Sequence, residues 1–182
     1  MPYVRCASCG VLSYTSPGDA SAACPECGVP VTRNGHASSG EASERRLDTL
    51  MRLTRDLLDT DVAILTEIRS GRETARRIAG EWPGISEGQS LPLDETFCKR
   101  MLEGRIDSYI RDAQADERVS DLAMTRELGI GAYLGVPIRL EDMRLYVLCC
   151  LHHERRPSLG EKEVRLLSGL AESVRVELQT LA

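Results

Sequence analysis

Four cysteines fall in two matched units, Cys6-Ala-Ser-Cys9-Gly10 and Cys24-Pro-Glu-Cys27-Gly28, with fourteen residues between Cys9 and Cys24. A tetrahedral metal site needs four thiolates converging on one ion, and each C-x-x-C turn presents two sulfurs to the same side. The glycine after each pair lets the turn close and points backbone amides at the sulfurs. The spacing is that of a structural four-cysteine zinc site with Cys6, Cys9, Cys24 and Cys27 as ligands. The rival chemistry is two disulfides, which a reducing compartment disfavours. A segment this short cannot fold on its own core, because below about 40 residues a metal or a disulfide is usually required. Zinc would supply on the order of 10 kcal/mol of folding free energy. All four sulfurs are consumed, so the site keeps no open position for catalysis and is structural.

The other chemistry-bearing residues point less sharply. Cys98 opens a helix, where the macrodipole lowers a thiol pKa, and Lys99 and Arg100 follow it. It reads first as a small buried helix residue, with a redox thiol as the alternative. Cys149 and Cys150 alternate faces on a strand, which suits core packing and not a vicinal disulfide. His152-His153 lies where that strand leaves the core, one ring exposed and one semi-buried, with no second ligand cluster beside it in sequence. His36 sits in a polar linker and reads as solvated. Asp94, Glu95, Asp112 and Asp116 suit helix N-terminal caps better than paired acid–base carboxylates. No phosphate-binding glycine loop, nucleophilic serine motif or kinase signature is present.

The elements that must position these residues follow from composition and periodicity. The chain has 182 residues, enough for one good core and a small appendage. Hydrophobic residues make up 42% and charged residues 28%, an ordinary water-soluble composition. The net charge of −5 argues against non-specific nucleic-acid binding by the whole molecule. No apolar run approaches the roughly 20 residues of a membrane helix, and Met-Pro-Tyr-Val-Arg-Cys has no apolar signal region; the expected location is the cytoplasm. Seven cysteines are many for that compartment unless most bind metal or lie buried.

The segment around which the chain is organised runs from Gly131 to Leu140, then Glu141-Asp142-Met143-Arg144, then Leu145 to Leu151. Two apolar runs joined by a short polar loop predict a central hairpin, and the nearly unbroken second run predicts a strand buried on both faces. Before it come a helix over residues 44–60 capped by Ser43, strands at Val62–Ile68 and Glu73–Ala79, and a break at Trp82-Pro83-Gly84. A short strand at Gly88–Leu93 follows, then a helix at Phe97–Leu102 capped by Asp94 or Thr96 and ended by Gly104. A strand at Ile106–Ile110 and a helix through Leu122, Met124 and Leu128 come next. A last helix runs over 159–181. Trp82 is expected to pack at a sheet edge. This order is α+β, an antiparallel sheet covered by helices. The predicted division is a zinc ribbon over 1–32, a flexible linker over 33–43 and the larger domain over 44–182.

The larger domain resembles the GAF family. The matching pieces are Leu91-Pro-Leu-Asp-Glu-Thr-Phe-Cys98, then Tyr109-Ile-Arg-Asp112 with Asp116-Glu-Arg118, and Gly129-Ile-Gly-Ala-Tyr-Leu-Gly-Val-Pro-Ile138. The resemblance implies a pocket between the sheet and the helices that follow the third and fourth strands, with Leu65, Cys98, Met124, Tyr133 and Leu148 as pocket candidates. Cys98 resembles the position of a catalytic cysteine in GAF-type free methionine sulfoxide reductases. The further cysteines of those enzymes are missing from residues 80–95 and 111–130, so that activity is not expected. The Cys-His pair that holds a bilin in phytochrome-like members is absent from the helix after the fourth strand. The dispersed cyclic-nucleotide pattern cannot be placed. The N-terminal knuckles resemble zinc ribbons, and also rubredoxins, which hold iron. The short interval without an aromatic core favours zinc.

In the last helix Val164, Leu167, Ala171, Val174, Leu178 and Leu181 repeat every three and four residues, a heptad seam. With the helix over 44–60 it predicts a homodimer through 44–60 and 159–181, the alternative being a two-helix layer on the chain's own sheet. The expected function is a non-enzymatic cytosolic signalling protein whose GAF domain senses a small molecule or mediates dimerisation. Its ribbon contacts a protein partner, since Arg5 and Arg33 are the only basic residues near the knuckles. A thiol-based redox sensor or enzyme using Cys98 and a zinc-ribbon DNA-binding regulator are the alternatives.

Overall fold

The structure, a computed structural model, describes residues 3–5, 12–14, 22–24, 26–28, 30–31 and 39–181. The chain divides into two units, Met1–Ala42 and Ser43–Ala182. In the first, β1 (Tyr3–Arg5) pairs antiparallel with β2 (Leu12–Tyr14), and β3 (Ala22–Ala23) with β4 (Pro30–Val31). Cys24 is buried and Cys27 exposed, on a turn closed by the Gly28 N–H donating to the Cys24 carbonyl at 2.9 Å. Gly28 has φ of +70°, which glycine adopts at little cost. Cys6, Cys9 and His36 lie outside the described residues.

The second unit is built on one six-stranded antiparallel sheet. In chain order its elements are α1 (Ser39–Leu57), β5 (Val62–Arg69), β6 (Arg72–Gly80), β7 (Ser90–Pro92), α2 (Phe97–Leu102), β8 (Tyr109–Ile110), α3 (Ala123–Glu127), β9 (Ala132–Arg139), β10 (Leu145–His152) and α4 (Glu161–Thr180). The strand order is β7-β6-β5-β10-β9-β8. The predicted hairpin is thus β9–β10, and β10 is paired on both edges, Leu148 lying between Leu65 and Val136. Apolar burial on both faces follows: Val147, Leu148 and Cys150 have no exposed surface. Thr96 caps α2, its Oγ1 accepting from the Lys99 N–H at 3.2 Å. Arg100 on α2 donates to both carboxylate oxygens of Asp121 (2.6 and 2.8 Å), tying the helix to the turn before α3.

Two cores flank the sheet. On one face α1 and α4 pack Leu47, Met51, Leu167, Leu170 and Val174 against Leu65, Leu134 and Leu148. On the other, α2, α3 and their loops pack Phe97, Ile106, Val119 and Leu122 against Ile64, Tyr133, Val147 and Cys149. Cys149 and Cys150 face opposite cores, as strand alternation requires.

One expectation needs correction. Helix α1 begins at Ser39, so Ser43 is not its cap but a buried residue inside it. Leu57, the last residue of α1, is 53% exposed. In the heptad seam of α4, Leu167, Ala171, Val174 and Leu178 are buried in the core formed with this chain's own sheet; the apolar residues α4 turns outward are Leu166 and Val176. No helix among the described residues is long and apolar enough to cross a membrane.

Candidate functional site

The second core holds a partly open cavity between the sheet and the α2–α3 layer. Strands β5 and β6 contribute Ile64, Thr66, Glu73 and Ala75, and β9 and β10 contribute Tyr133, Cys149 and Leu151. Thr96, Phe97 and Cys98 enter from the start of α2, Met124 and Leu128 from α3 and the residue after it, and Ile85, Gln89 and Leu91 from the β6–β7 side. The space left among them is about 50 Å³, room for a few water-sized groups at roughly 10–15 Å³ each.

Of the five pocket residues expected from the sequence, Cys98, Met124 and Tyr133 line this cavity. Leu65 and Leu148 do not; they pair across β5 and β10 and turn together into the helix-side core. Both faces of these strands are apolar, so alternation in the sequence could not say which face meets α1 and α4. Glu73, Thr66, Thr96 and Cys149 were missed for the same reason: they come together only through strand pairing.

Register explains how Glu73 reaches the cavity. Leu65 opposes Arg77, but Thr66 opposes Ala75, leaving Arg76 as an extra residue in β6. This β-bulge shifts the alternation, so Ala75 and Glu73 fall opposite Thr66 and Ile68 on the cavity face. Arg77 keeps to the helix face and pairs with Glu44 and Asp48 of α1. The adjacent Arg76-Arg77, interrupting alternation, is the one signal of the bulge in the sequence.

Tyr133 lies flat on the sheet because its neighbour two residues on is a glycine. A Cβ on Gly135 would stand 2.1 Å from the Tyr133 hydroxyl. The ring stacks on Phe97 with centroids 5.1 Å apart, and its hydroxyl donates to the Cys98 sulfur at 3.6 Å. Burial pushes the Tyr133 phenol up. The Cys98 thiol is also well above its ordinary range, through its hydrogen bond with Cys149 and then burial, with the Glu73 charge adding to both. Cys98 is buried, and its apolar, acidic surroundings disfavour the thiolate that the alternative redox role would need.

Burial raises the Glu73 carboxyl, and the adjacent Thr96, Cys98 and Thr66 side chains offset part of that. Its Oε2 is shut off from solvent with no hydrogen-bond partner. Two hydroxyls stand beside it, Thr96 Oγ1 at 2.9 Å from Leu93 O and Thr66 Oγ1 at 3.4 Å from Val147 O. Outside the cavity, Trp82 is buried, donates from Nε1 to Leu128 O at 3.0 Å and stacks on the exposed His153 at 3.7 Å, a packing role. His152 is buried, which lowers its pKa.

An antiparallel sheet with terminal helices on one face and a largely apolar pocket on the other defines a pocket-bearing α+β domain. A family model for the GAF domain matches residues 43–178, and the chain belongs to the GAF family. Among solved structures it is similar to the GAF domain of an Acinetobacter phosphoenolpyruvate-protein phosphotransferase, at TM-score 0.60 and 20% identity over 75% of this chain and 82% of that one. The blue-light absorbing form of the Thermosynechococcus elongatus PixJ GAF domain gives TM-score 0.59 and 20% identity over 80% and 88%. A phycoerythrobilin-bound GAF domain from a cyanobacterial phytochrome gives 0.58 and 15% over 79% and 94%. At these identities the likeness is one of fold. No curated protein matches the chain.

Proposed function

We propose that this protein is a non-enzymatic signalling module whose GAF domain senses a small molecule in the cavity beside Tyr133 and relays its occupancy through the helices on the far face. The observation that carries this is the largely apolar, partly open pocket between the sheet and the α2–α3 layer, into which Glu73 brings a carboxylate whose Oε2 is shut off from solvent with no hydrogen-bond partner. Family membership supports it, as does the likeness to a photoreceptor and a phosphotransferase GAF domain. The bilin of the phytochrome neighbour does not carry over, because about 50 Å³ is far short of a tetrapyrrole. The raised Cys98 thiol argues against a redox enzyme.

Zinc held by Cys6, Cys9, Cys24 and Cys27 completes the N-terminal unit. Support comes from the Cys24–Gly28 turn and from the chain order, which places one C-x-x-C between β1 and β2 and the other between β3 and β4. Zinc would lock that unit as a surface for a protein partner. Homodimerisation would use the outward residues Leu53, Leu57, Leu166 and Val176 of the two helices.

Native mass spectrometry of the purified full chain tests the whole reading. The expected species is a dimer with one zinc per chain and a displaceable small molecule. A monomer at micromolar concentration removes the dimer, and absence of zinc after expression in zinc-supplemented medium removes the ribbon. A protein that carries no ligand and gives no thermal shift with any member of a metabolite panel overturns the sensory function.

A further inference from the structure

The polar groups of the cavity offer Glu73 no positive charge. Beside the Glu73 Oε2 stand two neutral hydroxyls, Thr66 and Thr96, each also within hydrogen-bond reach of a backbone carbonyl. The Tyr133 proton goes to the Cys98 sulfur. Of the titratable groups facing Glu73, α2 supplies the Cys98 thiol, β10 the Cys149 thiol and β9 the Tyr133 phenol. Thiols are weak donors. Gln89, whose Oε1 accepts from the Ser86 N–H at 3.0 Å, adds an amide to the lining. Among the described residues no Lys, Arg or His lines the cavity. The protein thus brings a carboxylate into a largely apolar pocket, by means of a β-bulge, and lines that pocket with no cation.

From this we infer that the ligand is a small cationic proton donor, an alkylammonium, amidinium or protonated nitrogen heterocycle, whose N–H groups pair with Glu73 and whose apolar body lies against Phe97, Tyr133 and Ile64. The inference rests on the sensory reading and names the ligand class of that same pocket. The rings favour it as well, because aromatic faces attract cations. Anionic ligands are disfavoured: they would meet the Glu73 charge and no compensating cation. The size of the cavity sets the scale at about three to five non-hydrogen atoms, at roughly 10–15 Å³ for each water-sized group. Larger ligands of this class require Met124 and Leu128 to swing away.

A series matched in length separates charge from shape: n-butylammonium, 1-butanol and butyrate. Each is titrated into the full chain carrying ¹³C-methyl methionine, following the Met124 methyl in the cavity with the exposed Met143 methyl as control. The expected result is that butylammonium shifts Met124 alone, with a Kd at least tenfold below that of butanol and no response to butyrate. Glu73→Gln, which keeps the side chain's size, is expected to remove the tenfold preference while butanol binding persists. Its methionine spectrum reports that it is folded. Equal affinities for butylammonium and butanol, a preference for butyrate, or an unchanged amine Kd in Glu73→Gln overturns the ligand class and leaves the pocket standing. No Met124 response to any of the three overturns the pocket itself.

Discussion

Replacing Glu73 by Gln should stabilise the empty protein, and by an amount that depends on pH. The carboxyl's Oε2 is buried without a partner, and an unsatisfied buried acceptor costs about 1–3 kcal/mol. Glutamine fills the same volume, carries no charge and adds an N–H pair that the lone pairs of Thr66 and Thr96 can accept. The second unit spans Ser43 to Ala182, hence 182 − 43 + 1 = 140 residues, and for a domain of that size 1 kcal/mol moves Tm by roughly 3–4 °C. The expected gain is therefore about 3–12 °C near pH 8. The sign with pH follows from the direction of the shift. The folded carboxyl titrates above its unfolded value because burial disfavours the charge. Its stabilising contribution is fully present below the unfolded pKa and is lost as pH rises through the folded one. Gln does not titrate, so the Tm difference between variant and wild type should be small at pH 4.5 and widen toward pH 8. Circular-dichroism melts of ligand-free protein across that range measure it. A variant less stable than wild type at pH 8, or a difference flat with pH, would refute the burial and isolation of Glu73 on which the reasoning depends.

Two further substitutions probe the sheet itself. Gly135→Ala puts a methyl 2.1 Å from the Tyr133 hydroxyl, and overpacking of this kind costs about 1–3 kcal/mol; urea unfolding should show a lower midpoint at unchanged m, and an unchanged midpoint would mean that Tyr133 does not lie over the glycine. Leu148→Ala empties a site with no exposed surface in the helix-side core and should cost about 2–5 kcal/mol without moving the Met124 methyl signal, whereas a large Met124 shift would place Leu148 in the pocket after all.

Glu73 also bears on why the fold tolerates a costly group. A locally unfavourable choice that a single conservative substitution would relieve is expected where function needs it. The bulge at Arg76 belongs to the same design, because without it Glu73 would lie opposite Arg69 on the strand alternation and face the helices.

What the sequence determined by itself was the set of local elements. The apolar runs on either side of Glu141–Arg144 specify the β9–β10 hairpin, and the seven-residue run Leu145–Leu151 specifies a strand covered on both faces. Thr96 ahead of Phe97 marks the start of α2, and the matched C-x-x-C-G units mark a candidate metal site; each is written in neighbouring residues and in periods of 2 or 3.6. Tertiary structure decided which face of each strand belongs to which core. Leu65 and Leu148 were assigned to the pocket and Ile64, Thr66 and Cys149 were not, because both faces of β5 and β10 are apolar and only the packing of α1 and α4 breaks that symmetry. The heptad seam of α4 likewise described an apolar stripe correctly but could not say that the chain's own sheet would cover it. The environment of Cys98 was likewise beyond the sequence, since the helix and the cations are local while Cys149, Tyr133 and Glu73 arrive from three separate strands. Burial and electrostatics depend on which distant residues converge, and that is settled by strand register, in which one extra residue in β6 turns Glu73 inward.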